Sequence, residues 1–242
     1  MRILAGTSGY SYAPWKGIFY PPRLPSSRML AFYASRLPAV EINATFYRMP
    51  SAATLDAWRS RVPEGFRFAL KGSRRITHVL RLGDVGAPLA RFQRAAGKLG
   101  GALGPVLWQL PPDMKKDAGR LAAFLALLPH GRSVFEFRHP SWLDDEILRL
   151  LSGAGAALCV TETEEGVTPL APTARFGYLR LRRSDYGDAA LAAWLDRVRS
   201  QPWEETWVFF RHEDTARGPA FALRLAALAR AGAQPADHPA IR

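Results

Sequence analysis

The chain has 242 residues, 48% of them hydrophobic, which suits one globular domain of ordinary composition. Lysine and arginine together number 33 against 21 aspartates and glutamates, and the resulting formal charge of +12 favours phosphates, nucleic acid or anionic surfaces without choosing among them. The single cysteine, Cys159, excludes a disulfide framework or a thiolate metal cluster within one chain.

The sequence shows neither a targeting segment nor a membrane span. The first residues, MRILAGTSGY, lack the apolar region of a signal peptide. No stretch approaches the roughly 18 unbroken apolar residues that a transmembrane helix needs. We therefore expect a cytoplasmic protein without a membrane-spanning segment.

Eight short runs of β-type residues recur along the chain, and most of them are followed by a helical pattern. In chain order the runs are RILAGT (2–7), VEIN (40–43), FRFALK (66–71), PVLWQL (105–110), SVFEFR (133–138), ALCVT (157–161), GYLRLR (177–182) and TWVFF (206–210). Helix N-caps are predicted at Ser26 or Ser27 and at Ser51. Ser141 is a further predicted N-cap, because Asp144 follows it in capping-box spacing.

The spacing of these runs predicts a parallel sheet. Their starts are roughly 20–40 residues apart, which is the length of a βα unit. Eight such units close most naturally into a single TIM-type (β/α)8 barrel, here with a long first βα loop. An open doubly wound sheet is the alternative, but its glycine-rich turn would rest on Gly6 and Gly9 alone. We expect the barrel domain to occupy residues 1–232 and residues 233–242 to form a disordered tail.

Five segments of the chain together resemble a known family. They are GTSGYSYAPWKGIFYP (6–21), VEINATFYRMP (40–50), FRFALKGSRRITHVLRL (66–82), LGPVLWQLPP (103–112) and FEFRHPSW (135–142). In order and spacing they are similar to the YecE-like family, domain of unknown function family 72. The resemblance covers about residues 3–230 and implies a TIM-type barrel, but no particular reaction. The chain departs from the family pattern at RLRR (180–183) and FFRHED (209–214), so roles tied to the family's histidine and asparagines there are not carried over.

Charged residues near the strand ends are predicted to point into the barrel mouth, because a charge under the helices would be desolvated without a partner. Residues two apart on a strand share a face, and barrel active sites lie at the C-terminal strand ends. The residues selected in this way are Glu41, Asn43, Lys71, Gln109, Glu136, Arg138, Arg180 and Arg182, with Arg211 or His212 from the last strand and hydroxyls from Thr7 and Thr161.

These residues predict an anion site with acid/base groups. Glu136, Glu41 and His139 are the candidate catalytic residues, since burial and neighbouring charges can tune such groups for proton transfer. The candidate ligand-binding residues are Arg138, Arg180, Lys71, Asn43, Gln109, Arg182, Tyr10 and Trp15, the last two from an aromatic loop. The alternative is an ion-pair network that fills the polar top of the barrel, with the loop aromatics only packing the loop. Buried ion pairs are seldom stabilising in themselves, which favours a ligand site slightly.

The sequence indicates no metal and names no cofactor. The candidate metal ligands are Glu41, Glu136, His139, Glu162 and His212. They lack a metal-ligand spacing, and nearby arginines would repel a cation. No P-loop, nucleophile elbow or CxxC motif is present.

Three functions stay open at this point. The first is an enzyme acting on a small anionic substrate, for example a phosphorylated one. The second is a nucleic-acid-binding or nucleic-acid-processing barrel, favoured by the net charge and by arginine-rich loops at 72–81 and 180–183. The third is a non-catalytic protein that binds a small ligand in the same pocket.

Overall fold

The computed structural model describes residues 1–211 and 215–231 of the chain. His212, one of the two residues predicted to end the last strand at the mouth, lies outside the described residues, and so does the predicted tail at 233–242. Arg211, the other alternative, is exposed directly after that strand.

Eight parallel strands form a closed barrel. They are β1 (Arg2–Ser8), β2 (Ala39–Ile42), β3 (Arg67–Lys71), β4 (Leu103–Gln109), β5 (Ser133–Glu136), β6 (Ala157–Glu162), β7 (Phe176–Leu181) and β8 (Glu205–Phe210). Each strand pairs in parallel with the next, and β8 pairs with β1 to close the sheet. The predicted TIM-type barrel is therefore confirmed, and an open doubly wound sheet is wrong.

Helices surround the barrel and lie between most pairs of successive strands, except that the connection from β6 to β7 (163–175) contains no helix. The helices are α1 (Ser26–Ala34), α2 (Ala44–Tyr47), α3 (Ala52–Ser60), α4 (Gly86–Ala96), α5 (Ala118–Leu125), α6 (Asp145–Gly153), α7 (Asp188–Arg199) and α8 (Arg217–Ala231). A π-helix at Arg75–Val79 lies between β3 and α4. No helix in the described part of the chain is long and apolar enough to cross a membrane.

The helix starts agree with the predicted caps at one position and differ at two. Ser51 caps α3, with its side chain accepting from the Thr54 amide at 3.2 Å. Helix α1 starts at Ser26 itself, with no side-chain cap. Ser141 was predicted to cap α6, but the cap is Asp144, whose Oδ1 accepts from the Ile147 amide at 3.0 Å. The reason is Pro140, which starts a separate 3-10 turn and so delays the α-helix.

Side chains of the strands alternate between two cores. The inner core fills the cylinder, so the barrel is packed and not a pore. Its members are Leu4, Ala39, Ala69, Leu107, Val134, Ala157, Cys159, Phe176, Tyr178, Trp207 and Phe209. The larger outer core lies between the strands and the helices. Because residues two apart share a face, the strand positions that follow the inner core reach the C-terminal mouth of the barrel.

Candidate functional site

One arginine joins two buried carboxylates at the barrel mouth. Arg180 on β7 is 2% exposed, and Glu41 on β2 and Glu136 on β5 are 0% and 3% exposed. Arg180 donates from Nη2 to Glu41 Oε1 at 2.7 Å and from Nη1 to Glu136 Oε2 at 2.6 Å. Three strands from different parts of the barrel are thus held together by one guanidinium, and all three residues lie on the inward face that alternation predicts for them.

Further donors complete the hydrogen bonding of Glu41. Tyr178, two residues before Arg180 on β7, donates its hydroxyl to Glu41 Oε2 at 2.7 Å. Ser8 at the end of β1 donates to Glu41 Oε1 at 2.7 Å. Every oxygen of this desolvated carboxylate therefore has a partner, which is the condition under which a charge can be buried.

Glu136 is bonded in a similar way on its inner side and lies closer to solvent on its outer side. Gln109 on β4 donates from Nε2 to Glu136 Oε1 at 2.8 Å. Arg138 donates from Nε to the same oxygen at 3.3 Å, and its own side chain is 41% exposed. The strand ends at Glu136, so Arg138 lies on the loop above it and not on the strand as predicted.

The arginines keep both carboxyl groups ionised at neutral pH. Burial by itself raises the pKa of Glu136, but Arg180, Arg182 and Arg138 outweigh it and lower that pKa to about 2. Burial likewise opposes ionisation of Glu41, and Arg180 again reverses the sign, so the pKa of Glu41 is lowered. A carboxyl group of this kind carries no proton to donate at pH 7 and is a weak base. Glu41 and Glu136 therefore both carry a negative charge at the barrel mouth.

Cations exceed carboxylates around this cluster. Arg182 forms no ion pair within the described residues, and its buried Nε has no hydrogen-bond partner there. Lys71, at the end of β3, is half-buried and lies over the ring of Phe46, with Nζ 4.1 Å from the ring centroid. With Arg138, these groups leave an excess of positive charge at the mouth.

An open groove of about 1000 Å³ lies beside the cluster. Its polar walls include Glu136, Arg138, His139, Thr161 and Arg182. His139 is partly exposed, and its Nδ1 accepts from the Ser141 amide at 3.2 Å, which orients the ring. The predicted acid/base histidine and two predicted anion ligands therefore line the same space.

The aromatic first loop divides into a buried and an accessible part. Trp15 is 1% exposed and contacts the rings of Tyr12 and Tyr20 at centroid distances of 4.8 Å and 6.0 Å, so it packs the loop and offers no free face to a ligand. Tyr10 and Asn43 line a separate groove of about 290 Å³. These two residues are near the barrel mouth but not in the arginine–carboxylate cluster.

Two residues of the site, Ser8 and Tyr178, are not predicted from the sequence, and Thr7 is predicted on the wrong face of β1. Thr7, predicted to face the mouth, points toward the helices and bonds the Tyr33 hydroxyl at 2.8 Å. Its neighbour Ser8 takes the inward position instead, because alternation on β1 runs through Leu4 and Gly6. Tyr178 could have been found, since it lies two residues before Arg180 and shares its face.

The part of the chain that the structure describes contains no group of side chains suited to bind a metal ion. No three His, Cys, Asp or Glu side chains come close enough there to share an ion. Of the candidate metal ligands, Glu162 faces away from the mouth and accepts from Trp194 Nε1 at 2.9 Å.

The fold and the cluster define a closed (β/α)8 barrel with a buried arginine–dicarboxylate site and a cationic mouth. The chain matches the family described as protein of unknown function DUF72 over residues 4–241, and it belongs to that family. The resemblance found in its five sequence segments is thereby confirmed.

Relatives of known sequence or structure agree with this assignment. UPF0759 protein YunF of Bacillus subtilis (strain 168) is 31% identical over 136 residues, which are 51% of this chain and 47% of that protein, so the match spans about half of the relative. A DUF72 family crystal structure from Thermotoga maritima MSB8 has a TM-score of 0.82 and 26% identity, covering 95% of this chain and all of that one. A DUF72 structure from Enterococcus faecalis V583, with a TM-score of 0.75, 19% identity and coverage of 94% and 95%, shares the fold.

Proposed function

We propose that the barrel mouth is the active site of an enzyme that acts on a small anionic substrate bearing a phosphate or carboxylate. Arg138 and Arg182 are its anion ligands, and Lys71 adds a third positive charge. His139, which lines the same groove, is the proton-transferring group. Glu41 and Glu136 hold Arg180 and Arg138 in position.

The observation that carries this proposal is the charge balance of the mouth. Four cations, Lys71, Arg138, Arg180 and Arg182, face Glu41 and Glu136, and both of these carboxylates are already bonded to Arg180. Glu165 also lines the groove, so three carboxylates balance three of the four positive charges. An incoming anion would neutralise the remaining positive charge and could accept bidentate hydrogen bonds from guanidinium groups. An ion-pair network that only filled the barrel would have no need of the surplus cations.

The shape of the site favours a small ligand over a nucleic acid. Arg180 is buried beneath the mouth and cannot reach an external polymer. Arg183, in the same arginine-rich segment, lies 3.9 Å from Glu162 and 3.7 Å from Glu164, which reduces its attraction for phosphate. The groove of about 1000 Å³ is large enough for a metabolite.

Calorimetric titration with inorganic phosphate tests the proposal. We expect Arg182→Gln and Arg138→Gln each to weaken binding at least about tenfold, since a hydrogen bond to a charged group contributes about 1.5–3 kcal/mol and each 1.4 kcal/mol is a factor of ten. Arg149→Gln is the matched control, because it removes one exposed arginine of α6 that does not line the groove. Equal losses in all three variants would mean that only net charge is sensed, and the proposal would fail.

A salt titration with a single-stranded oligonucleotide separates the nucleic-acid alternative. Binding through phosphate contacts weakens steeply with salt. Oligonucleotide binding that survives physiological salt and depends on Arg182 would favour that alternative.

A separate test distinguishes an enzyme from a non-catalytic binding protein. Phosphorylated and carboxylated metabolites that bind but are never turned over would favour the binding protein.

A further inference from the structure

Lys71 differs in kind from the other cations of the mouth. The chain uses 28 arginines and only 5 lysines, and Lys71 is the one lysine on a barrel strand. A guanidinium stays protonated in proteins, whereas an ammonium group can lose its proton and become a nucleophile. If Lys71 only bound an anion, an arginine could take its place, and arginine is the cation that this chain otherwise prefers.

The amine of Lys71 is held in place without a carboxylate partner among the described residues. Lys71 is the last residue of β3, and its carbonyl accepts from Thr45 Oγ1 at 2.7 Å, which fixes the strand end. Its Nζ lies over the Phe46 ring and has no carboxylate within 4.0 Å among the residues that the structure describes. Lys116 offers a contrast, because its Nζ is bonded to both Asp144 and Glu146.

The surroundings also lower the pKa of this amine. Burial is the largest cause that lowers the pKa of Lys71, Arg180 is the second, and the result is a pKa of about 8. The charged and titratable groups around it are Glu41, Glu136, Arg138, Arg180 and His78. The two carboxylates act in the opposite direction but do not prevail. Roughly a tenth of the lysine is therefore unprotonated at pH 7 and about half at pH 8.

We propose that Lys71 is a catalytic nucleophile that forms an imine with the aldehyde or ketone carbon of the bound anion. The amine nitrogen adds to the carbonyl carbon, and both amine hydrogens then leave with the carbonyl oxygen as water. No oxidant or reductant is consumed. This inference rests on the proposed function, since Arg138 and Arg182 would hold the anionic end of the same molecule, and it narrows the substrate class to anionic carbonyl compounds.

Trapping with pyridoxal phosphate, which carries an aldehyde and a phosphate, tests the inference on the full chain. The imine is reduced with borohydride and the labelled lysine is located by peptide mass spectrometry. At limiting reagent we expect Lys71 to be labelled at least about tenfold more than exposed Lys98 and Lys115, because the pKa of Lys71 is lowered and the arginines beside it would hold the phosphate of the reagent. Labelling should rise between pH 7 and pH 9 and fall when inorganic phosphate competes.

Lys71→Arg is the matched variant, since it keeps the positive charge and cannot form an imine. It should lose the preferential label and still bind inorganic phosphate in the calorimeter. Label spread evenly over the surface lysines of the native protein, or an unchanged pattern in Lys71→Arg, would overturn the inference. If phosphate binding persists in that case, the proposed anion site stands without the nucleophile. If Lys71 is labelled selectively but phosphate neither binds nor competes, the anion site fails instead.

Discussion

Arg180 and Glu41 lie 139 positions apart in the sequence and form a fully buried ion pair, with Nη2 2.7 Å from Oε1. The same guanidinium bonds Glu136 with its other terminal nitrogen. Arg180 and the two glutamates therefore join β2, β5 and β7 at the polar end of the barrel. Their surroundings contain the cations that we propose to bind substrate.

Replacing this arginine should strongly destabilise the protein. In Arg180→Met, two buried carboxylates lose their common partner, and we expect a loss of about 3–5 kcal/mol in the free energy of unfolding in urea. The triple variant Glu41→Gln, Glu136→Gln, Arg180→Met removes the charges together and should lose less than Arg180→Met alone. A triple variant that is less stable than the single one would show that the charges are not the cause.

The hydroxyl of Tyr178 should contribute measurably through Glu41. In Tyr178→Phe the ring stays in the inner core and one hydrogen bond to a buried carboxylate is lost, so we expect about 1–3 kcal/mol less stability. Tyr47→Phe is the control, since Tyr47 is 80% exposed and should change stability by less than about 0.5 kcal/mol. Equal unfolding free energies for the two variants would contradict the assigned hydrogen bond.

Stability should fall in acid because of Glu136. Its pKa is lowered from 4.5 to about 2 in the folded protein, so the unfolded chain binds the proton first as the pH decreases. The contribution is complete above pH 4.5 and is lost between pH 4.5 and about pH 2. Urea unfolding at a series of pH values should give a shallower acid slope for Glu136→Gln than for Glu64→Gln, which removes an exposed carboxylate. Identical slopes would be incompatible with this assignment.

The fold could be read from the sequence because its strands are distinct in pattern. All eight predicted runs coincide with observed strands to within two residues at each end. The cost of desolvating a polar or charged group also predicted the correct face of the strands. Glu41, Gln109, Glu136 and Arg180 all point inward. Each has hydrogen-bond partners there, whereas under the helices it would have none.

The chemistry of the site was less accessible to sequence reasoning. Alternation says which face a residue occupies but not which neighbour it meets, so the shared guanidinium of Arg180 and the resulting low pKa of Glu136 could not be foreseen. The inward position of Ser8 was missed because β1 is formed by small and apolar residues, whose pattern does not distinguish its two faces. Lys71 was expected only as an anion ligand, since its separation from carboxylates depends on three-dimensional distances.

The single cysteine should report on opening of the barrel. Cys159 lies in the inner core at 1% exposure, two residues before Thr161 on β6, and burial raises the pKa of its thiol well above the ordinary value. Iodoacetamide should therefore leave it unmodified in the native state and alkylate it in urea, as measured by intact mass. If labelling requires global unfolding, Arg180→Met should accelerate it at least about 100-fold, because each 1.4 kcal/mol of lost stability raises the unfolded population tenfold. Rapid alkylation of the native protein would show instead that the inner core opens locally, and that the arginine–dicarboxylate cluster does not hold the barrel closed.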